Sequence, residues 1–275
     1  MTNNAVTDVR AGASRWTLRV VVLGYLAFLL VLPVAVILYR TFQHGLAPVV
    51  DALTSANAIH AYQVTAVVAG SAVAINTVFG VTAALLVVRH RFPGRRVLDA
   101  LIDLPIAVSP VVVGLALTLV YGRTTSTGSW LAREGIQIIF SIPGMILATS
   151  FVALPLVMRA VVPVLEEIGE EQEQAAATLG ANAVQRFTRI TLPSIRGALA
   201  YGVVLSLARA LGEFGAVAVV SGRVVGKTET ASLYVLDLYN NFDQTGAYAM
   251  ATSLAAVAVL SLIVSRFLRP KGSAA

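Results

Sequence analysis

Residues 166–193 read EEIGEEQEQAAATLGANAVQRFTRITLP, a polar stretch inside a chain that is otherwise strongly apolar. Small and apolar side chains recur in its first half at spacings of three and four, which predicts one face of a helix, and glutamates fill the remainder. Acidic residues in the first turns favour the positive end of a helix. The residues of the predicted face are Ile168, Gln172, Ala175, Ala176 and Leu179.

The second half of the stretch predicts a corner and another short helix. Gly180 stands where a left-handed C-terminal cap is expected, and Asn182 is placed to cap the start of the next helix. Pro193 is expected to end that helix because proline has no N–H to donate. This helix would carry Val184, Phe187 and Thr191 on one side and Arg186 and Arg189 on the other.

The surrounding composition indicates an all-α integral membrane protein. Hydrophobic residues make up 57% of the chain, charged residues make up 12%, and the mean hydropathy is +0.81. Several apolar runs exceed the ~20 residues that span a bilayer. The lack of cysteine excludes disulfides, and three scattered histidines argue against a metal site. The predicted spans are 20–39, 62–88, 98–121, 135–158, 197–221 and 246–264.

The spans and the polar stretch together suggest how the chain is organised. A cleaved signal peptide is the alternative for the first apolar run, but the run is long and no small-residue cleavage site follows it. The predicted parts are a disordered cytoplasmic N-terminus (1–15), a first span with an outer connection (16–61), a transport domain (62–265) and a cytoplasmic tail (266–275).

The basic residues predict the orientation of the chain in the membrane. If both termini, the tract 89–96 and the stretch 159–196 lie in the cytoplasm, those regions hold 14 of the 20 Lys and Arg residues, and the outer loops hold 5. This distribution follows the positive-inside rule. It explains the net charge of +6 without nucleic-acid binding.

Two charged residues lie inside the predicted fifth span. Arg209 and Glu213 are one helical turn apart and roughly 18 to 24 Å along the helix from Gly197. A charge at that depth costs at least a few kcal/mol unless it is paired or hydrated. One interpretation is an intrahelical ion pair that anchors subunit packing. The other is that Arg209 borders an aqueous pathway and attracts an anion, while Glu213 fixes its side chain.

Asp99 and Asp103 stand at the start of the predicted third span. Asp99 follows Arg95 by four residues and Asp103 follows four later, which predicts a ladder of charges at the membrane surface. A proton relay is the alternative, but acids at the end of a span fit it less well than acids at mid-bilayer.

Residues 221–228, SGRVVGKT, nearly match the phosphate-binding loop G-x4-G-K-[ST]. Ser221 replaces the first glycine, no strand is predicted before it, and the predicted topology places it outside the cell. No triad, zinc or dinucleotide signature is present. We therefore expect no catalytic residues and no cofactor bound by this chain, with the energy supplied by another chain.

The polar stretch resembles the "EAA" loop of ABC importer permeases, E-A-A-x3-G-x9-I-x-L-P. Gln174 stands where that pattern has Glu, and the remaining spacing is intact. The resemblance implies a helical loop that docks on an ATPase. The residues implied in ATPase coupling are Gln174, Ala175, Ala176, Gly180, Ile190, Leu192 and Pro193.

A wider resemblance covers roughly residues 60–265. INTVFG (75–80), RFPGRRVLDALIDLPIAVSPVVVGL (91–115) and ARALGEFGAVAVVSG (208–222) are similar to type I ABC importer permeases for oxyanions. The residues after the GEFG core are most similar to those of sulfate/thiosulfate permeases. A molybdate/tungstate permease is the alternative.

The resemblance implies a multi-pass permease of the plasma membrane with about six transmembrane helices. Its implied partners are cytosolic ABC ATPase subunits that use ATP, a second and homologous permease subunit, an extracytoplasmic sulfate-binding protein and membrane lipid. An ion-driven secondary transporter or a membrane-embedded enzyme are the alternatives from other classes. The first would need inverted repeats and the second convergent reactive groups, and neither is evident.

Overall fold

The computed structural model describes residue 16 and residues 18–268. Every regular element in that part of the chain is a helix, as the sequence predicts. In chain order the helices are α1 (Leu18–Phe42), α2 (Ala47–Thr54), α3 (Ala56–Arg89), α4 (Arg95–Ala107), α5 (Pro110–Tyr121), α6 (Ser126–Arg133), α7 (Ile142–Ile168), α8 (Glu171–Thr178), α9 (Ala183–Leu211), α10 (Gly215–Val220), α11 (Ala231–Asn240) and α12 (Gln244–Leu268).

The prediction of about six spans is confirmed. Among the described residues, α1, α3, α7, α9 and α12 are long and apolar enough to cross a bilayer, and α4 with α5 forms a sixth span if the bent pair counts as one. The fourth span is α7, so the predicted bounds 135–158 lie several residues too early. The predicted disordered N-terminus (1–15) and most of the predicted tail lie outside the described residues.

The third predicted span, 98–121, consists of two helices with a break between them. The chain bends by 112° between α4 and α5. Val108 and Ser109 are extended between them, with ψ of 134° at each. Pro110 explains the break, because a proline disfavours helical geometry in the residue before it.

The fifth predicted span, 197–221, is also broken. Helix α9 ends at Leu211, and three residues separate it from the short helix α10. Helix α10 packs closely on α5: a Cβ placed on Gly114 would lie 2.8 Å from the carbonyl oxygen of Ala216, and one on Gly215 would lie 3.1 Å from the Cβ of Pro110. The two broken spans therefore meet at their second halves.

Helices α3, α7 and α9 form the packed centre of the molecule. A Cβ on Gly80 would lie 2.8 Å from the Cβ of Val157, and one on Gly202 would lie 3.0 Å from the Cα of Val157. Such contacts allow three helix backbones to approach closely, as small residues do in membrane proteins. Asn76 Nδ2 also donates a hydrogen bond to the Ser150 carbonyl oxygen at 3.0 Å.

Two of the connections between spans contain helices. The connection over 41–60 includes α2, and the outer loop over 123–134 includes α6. Helix α6 is started by Thr125, whose hydroxyl accepts a hydrogen bond from the Gly128 N–H.

The predicted charge ladder along α4 with Arg95 is wrong, because both acids pair with another helix. Arg159 of α7 lies 2.9 Å from Asp99 and 2.5 Å from Asp103. All three side chains are partly exposed. The group ties α4 to α7, a long-range contact that spacing along one helix does not reveal.

Candidate functional site

The elbow, residues 170–191, connects α7 to the membrane part of α9. Helix α8 begins it, with Glu171 and Glu173 in the first turn, as the sequence predicts. Gly169 has a φ of +65° and separates α8 from α7. Ile168 therefore belongs to α7, so it does not share a helical face with Ala175 and the prediction is wrong for that residue.

The corner of the elbow has the predicted geometry. Gly180 has a φ of +85°, and its N–H donates to the Ala177 carbonyl oxygen while the Ala181 N–H donates to that of Ala176, each at 3.0 Å. This pair of hydrogen bonds is a Schellman motif, whose left-handed residue is usually glycine. Both the corner and its glycine cap are confirmed.

Asn182 starts the next helix by a reciprocal cap. Its side-chain oxygen accepts from the Gln185 N–H, and the Gln185 side-chain oxygen accepts from the Asn182 N–H, each at 2.9 Å. The predicted N-cap is confirmed as a full capping box.

Pro193 does not end this helix, so that prediction is wrong. Residues Ala183–Leu211 are continuous, with a π-helical turn at Phe187–Thr191 in which the Leu192 N–H donates to the Phe187 carbonyl oxygen. The wider turn directly precedes the proline and accommodates its ring and missing donor. The second arm of the elbow is consequently the first part of a membrane span.

The elbow presents apolar side chains at its surface. Leu179 is 88% exposed, and Val184 is also strongly exposed. Ala176, Gly180 and Ile190 line one open cleft beside them. Of the other residues implied in coupling, Gln174, Ala175, Leu192 and Pro193 are not part of that cleft.

The ion pair of Arg209 and Glu213 lies at the break between α9 and α10. Arg209 Nη1 lies 2.7 Å from Glu213 Oε2, and the side chains are 38% and 2% exposed. Glu213 Oε1 accepts a hydrogen bond from the Ala216 N–H at 3.0 Å, at the start of α10. Ser232 donates to the Glu213 carbonyl oxygen at 2.8 Å. The carboxylate therefore joins both sides of the break and orients Arg209.

This arrangement suits an anion more than a cation. A guanidinium has five N–H donors, and the contact with one carboxylate oxygen leaves others free. Arginine donors in a fork match the oxygens of an oxyanion. Arg209 lies about 26 Å along the helix from Leu192, at 1.5 Å per residue. Discontinuous helices commonly form the substrate sites of transporters.

Sequence reasoning missed several residues of this region. The breaks themselves and Ser232 were not predicted. The apolar run continues through Gly215, and apart from the glycines of the GEFG core its sequence gives no local sign of a break. Glu229, in the connection before α11, was also missed: it is buried, and that burial, with the Asp237 charge, raises its pKa to about 7.

The segment resembling a phosphate-binding loop has a different structure. Residues 221–230 form turns between α10 and α11, no strand precedes them, and no helix begins directly after Lys227. Thr228 uses its hydroxyl locally, accepting from the Val224 N–H at 3.3 Å. The geometry of a strand, loop and helix that holds phosphate is therefore not formed in this segment.

The fold corresponds to one class of membrane protein. A family model described as "binding-protein-dependent transport system inner membrane component" matches residues 76–271. The chain belongs to this family, the permease subunits of ABC importers.

Relatives within the family are similar over nearly their whole length. The sulfate transport system permease protein CysW of Synechocystis sp. is 48% identical over 257 residues, which cover 94% of this chain and 93% of the relative. CysW of Escherichia coli (strain K12) is 44% identical over 243 residues, with 88% and 84% covered. The sulfate transport system permease protein CysT of the same strain is 39% identical over 238 residues, with 86% of each covered.

Solved structures support the fold. A chain of a bacterial alginate ABC transporter, crystallised in complex with an alginate pentasaccharide-bound periplasmic protein, superposes with a TM-score of 0.75 at 18% identity. The match covers 95% of this chain and 94% of the other. The predicted type I ABC importer permease fold is confirmed.

Proposed function

We propose that this chain is the permease subunit of an ATP-driven importer of sulfate and thiosulfate. The observation that carries the proposal is Arg209, a partly exposed cation near the end of α9 that a buried carboxylate holds at the junction with α10. Relatives named for sulfate transport supply the choice of anion. Sulfate is a tetrahedral oxyanion, and its oxygens suit the free donors of a guanidinium.

The elbow would couple this site to ATP. The exposed Leu179 and the cleft beside it would dock on a cytosolic ATPase subunit, and continuity through Pro193 would carry its motion into α9. The bound and free states of the ATPases then bias the permease between two packed arrangements. The nucleotide site would lie in those ATPases, with no cofactor held by this chain.

The remaining partners follow from the same mechanism. A second, homologous permease subunit would complete the pathway, and a soluble extracytoplasmic protein would deliver sulfate. The excess of basic residues in both termini, the tract 89–96 and the stretch 159–196 supports a plasma-membrane protein whose elbow and termini lie in the cytoplasm.

Uptake by the complete complex in proteoliposomes tests the proposal. We expect radiolabelled sulfate to accumulate only with ATP and binding protein, with thiosulfate competing more strongly than molybdate. The control is Arg209→Lys, which keeps the charge and loses the fork, and which should retain part of the uptake that Arg209→Leu loses. Uptake driven by an ion gradient without ATP would indicate a secondary transporter instead.

A further inference from the structure

Helix α8 lies at the surface of the protein. None of its eight residues is buried. Glycines with positive φ flank it, Gly169 at +65° and Gly180 at +85°, and no atom lies within 4 Å of a Cβ built on either. A helix with bends at both ends and no apolar face in a core can shift unless another contact fixes it.

Glu173 supplies that contact. Its Oε1 lies 3.1 Å from Arg89 Nη2 and accepts a hydrogen bond from the Thr191 hydroxyl at 2.9 Å. The Arg89 Nη1 donates to the Leu165 carbonyl oxygen at 3.1 Å. The carboxylate therefore joins α8 to the last residue of α3 and to the π-helical turn of α9, and Arg89 extends the link to the last turn of α7.

The pair is shielded from water more than a surface ion pair is. The side chains of Arg89 and Glu173 are 9% and 18% exposed, although they border a cavity of about 360 Å³ that also reaches His90 and Arg186. Exposed ion pairs contribute little because they exchange readily with water. A sheltered, charge-assisted pair with two further hydrogen bonds is stronger and has a fixed direction.

We propose that Glu173 is a positioning residue that transmits displacement of the elbow to α3 and α7 through Arg89. The proposal rests on the ATP-coupled import proposed above. It gives Glu173 a separate role from its neighbour Gln174, which is exposed and hydrogen-bonds to Glu170. Without the pair, the bends at both ends of α8 would absorb motion imposed by an ATPase.

The test is the ratio of sulfate transported to ATP hydrolysed by the reconstituted complex. We expect Glu173→Ala to lower this ratio by about 2- to 30-fold, the range found for residues that link two sites, while ATPase binding stays unchanged. The matched control is Glu171→Ala, which removes an exposed charge two residues away and should leave the ratio unchanged. The exchanged pair Arg89→Glu/Glu173→Arg should recover part of the loss.

Several outcomes separate this role from others. An unchanged ratio in Glu173→Ala would overturn the proposal, and so would a parallel loss of ATPase binding and transport, since that indicates docking. If Glu173→Ala does not assemble, Glu173→Gln keeps the shape and is scored by the same ratio. If the wild-type complex fails to import sulfate, the proposed function is contradicted instead. The role of Glu173 is then tested by comparing how strongly the binding protein stimulates ATP hydrolysis in the wild type and in Glu173→Ala.

Discussion

Replacing Gly180 with valine (Gly180→Val) tests whether the corner of the elbow must be left-handed. The Gly180 φ is +85°, and no atom lies within 4 Å of a Cβ built there. A Cβ at this position therefore meets no neighbour, and the expected effect is taken from backbone strain. A left-handed conformation costs an L-residue about 1–2 kcal/mol, and a β-branched residue is less tolerant still.

That free energy sets the expected effect. A cost of about 1–2 kcal/mol lowers the ratio of correctly bent to other elbows by a factor of about 5–30. If the ATPase binds only the correct bend, its apparent affinity falls by the same factor, because a ligand is weakened by the fraction of competent protein. Asparagine tolerates the left-handed region, so Gly180→Asn should lose less than Gly180→Ala, and Gly180→Val should lose the most.

The assay is titration of the purified permease with ATPase subunits, followed by uptake with the same variants. Gly197→Ala is the matched control, because no atom lies within 4 Å of a Cβ there either, but Gly197 is inside α9. Alanine in a helix stabilises by roughly 0.5–1 kcal/mol relative to glycine, so binding should be unchanged. Wild-type binding and coupled uptake by Gly180→Val would refute the requirement for a left-handed corner.

Three further predictions concern the ends of helices and the buried charges. Arg209→Leu should abolish sulfate uptake and leave ATPase binding intact. Because this change leaves Glu213 buried and unpaired, it can lower stability by up to about 3–5 kcal/mol, so the double variant Arg209→Leu/Glu213→Leu is measured beside it. Normal uptake by the double variant would exclude the anion role. Asn182→Ala removes the capping box and should lower the free energy of unfolding by about 1 kcal/mol, measured by denaturation in detergent. An alanine substitution at another exposed position of the elbow should leave that free energy unchanged. The pKa of Glu229 is raised to about 7 from 4.5, so the folded protein holds a proton that the unfolded chain releases between these values. Thermal stability should therefore fall as pH rises from 4.5 to about 7, and Glu229→Gln should remove the decline. Identical pH profiles of the two proteins would contradict the burial of this carboxyl near Asp237.

The parts of the structure that the sequence predicted are those set by local chemistry. Gly180 and Asn182 act on neighbours within a few residues, so spacing alone located the corner and the cap. The spans follow from the length of the apolar runs, which is read directly from the local sequence. The family pattern likewise located the elbow despite the Gln174 departure.

The errors arose where distant residues decide the outcome. Arg159 approaches Asp99 and Asp103 only because α7 packs on α4, and no spacing along one helix contains that contact. The continuation through Pro193 depends on a π-helical turn, which has no simple sequence signal. The break before α10 adjoins close packing of α10 on α5, a contact between residues far apart in the sequence.

The most direct test of the account is the side of the membrane on which the elbow lies. The chain has no cysteine, so Leu179→Cys introduces a single thiol at an 88% exposed position. A membrane-impermeant maleimide should label it only after cells are permeabilised, and added ATPase subunits should protect it. Equal labelling in intact cells would place the elbow outside and contradict ATP-driven coupling through it.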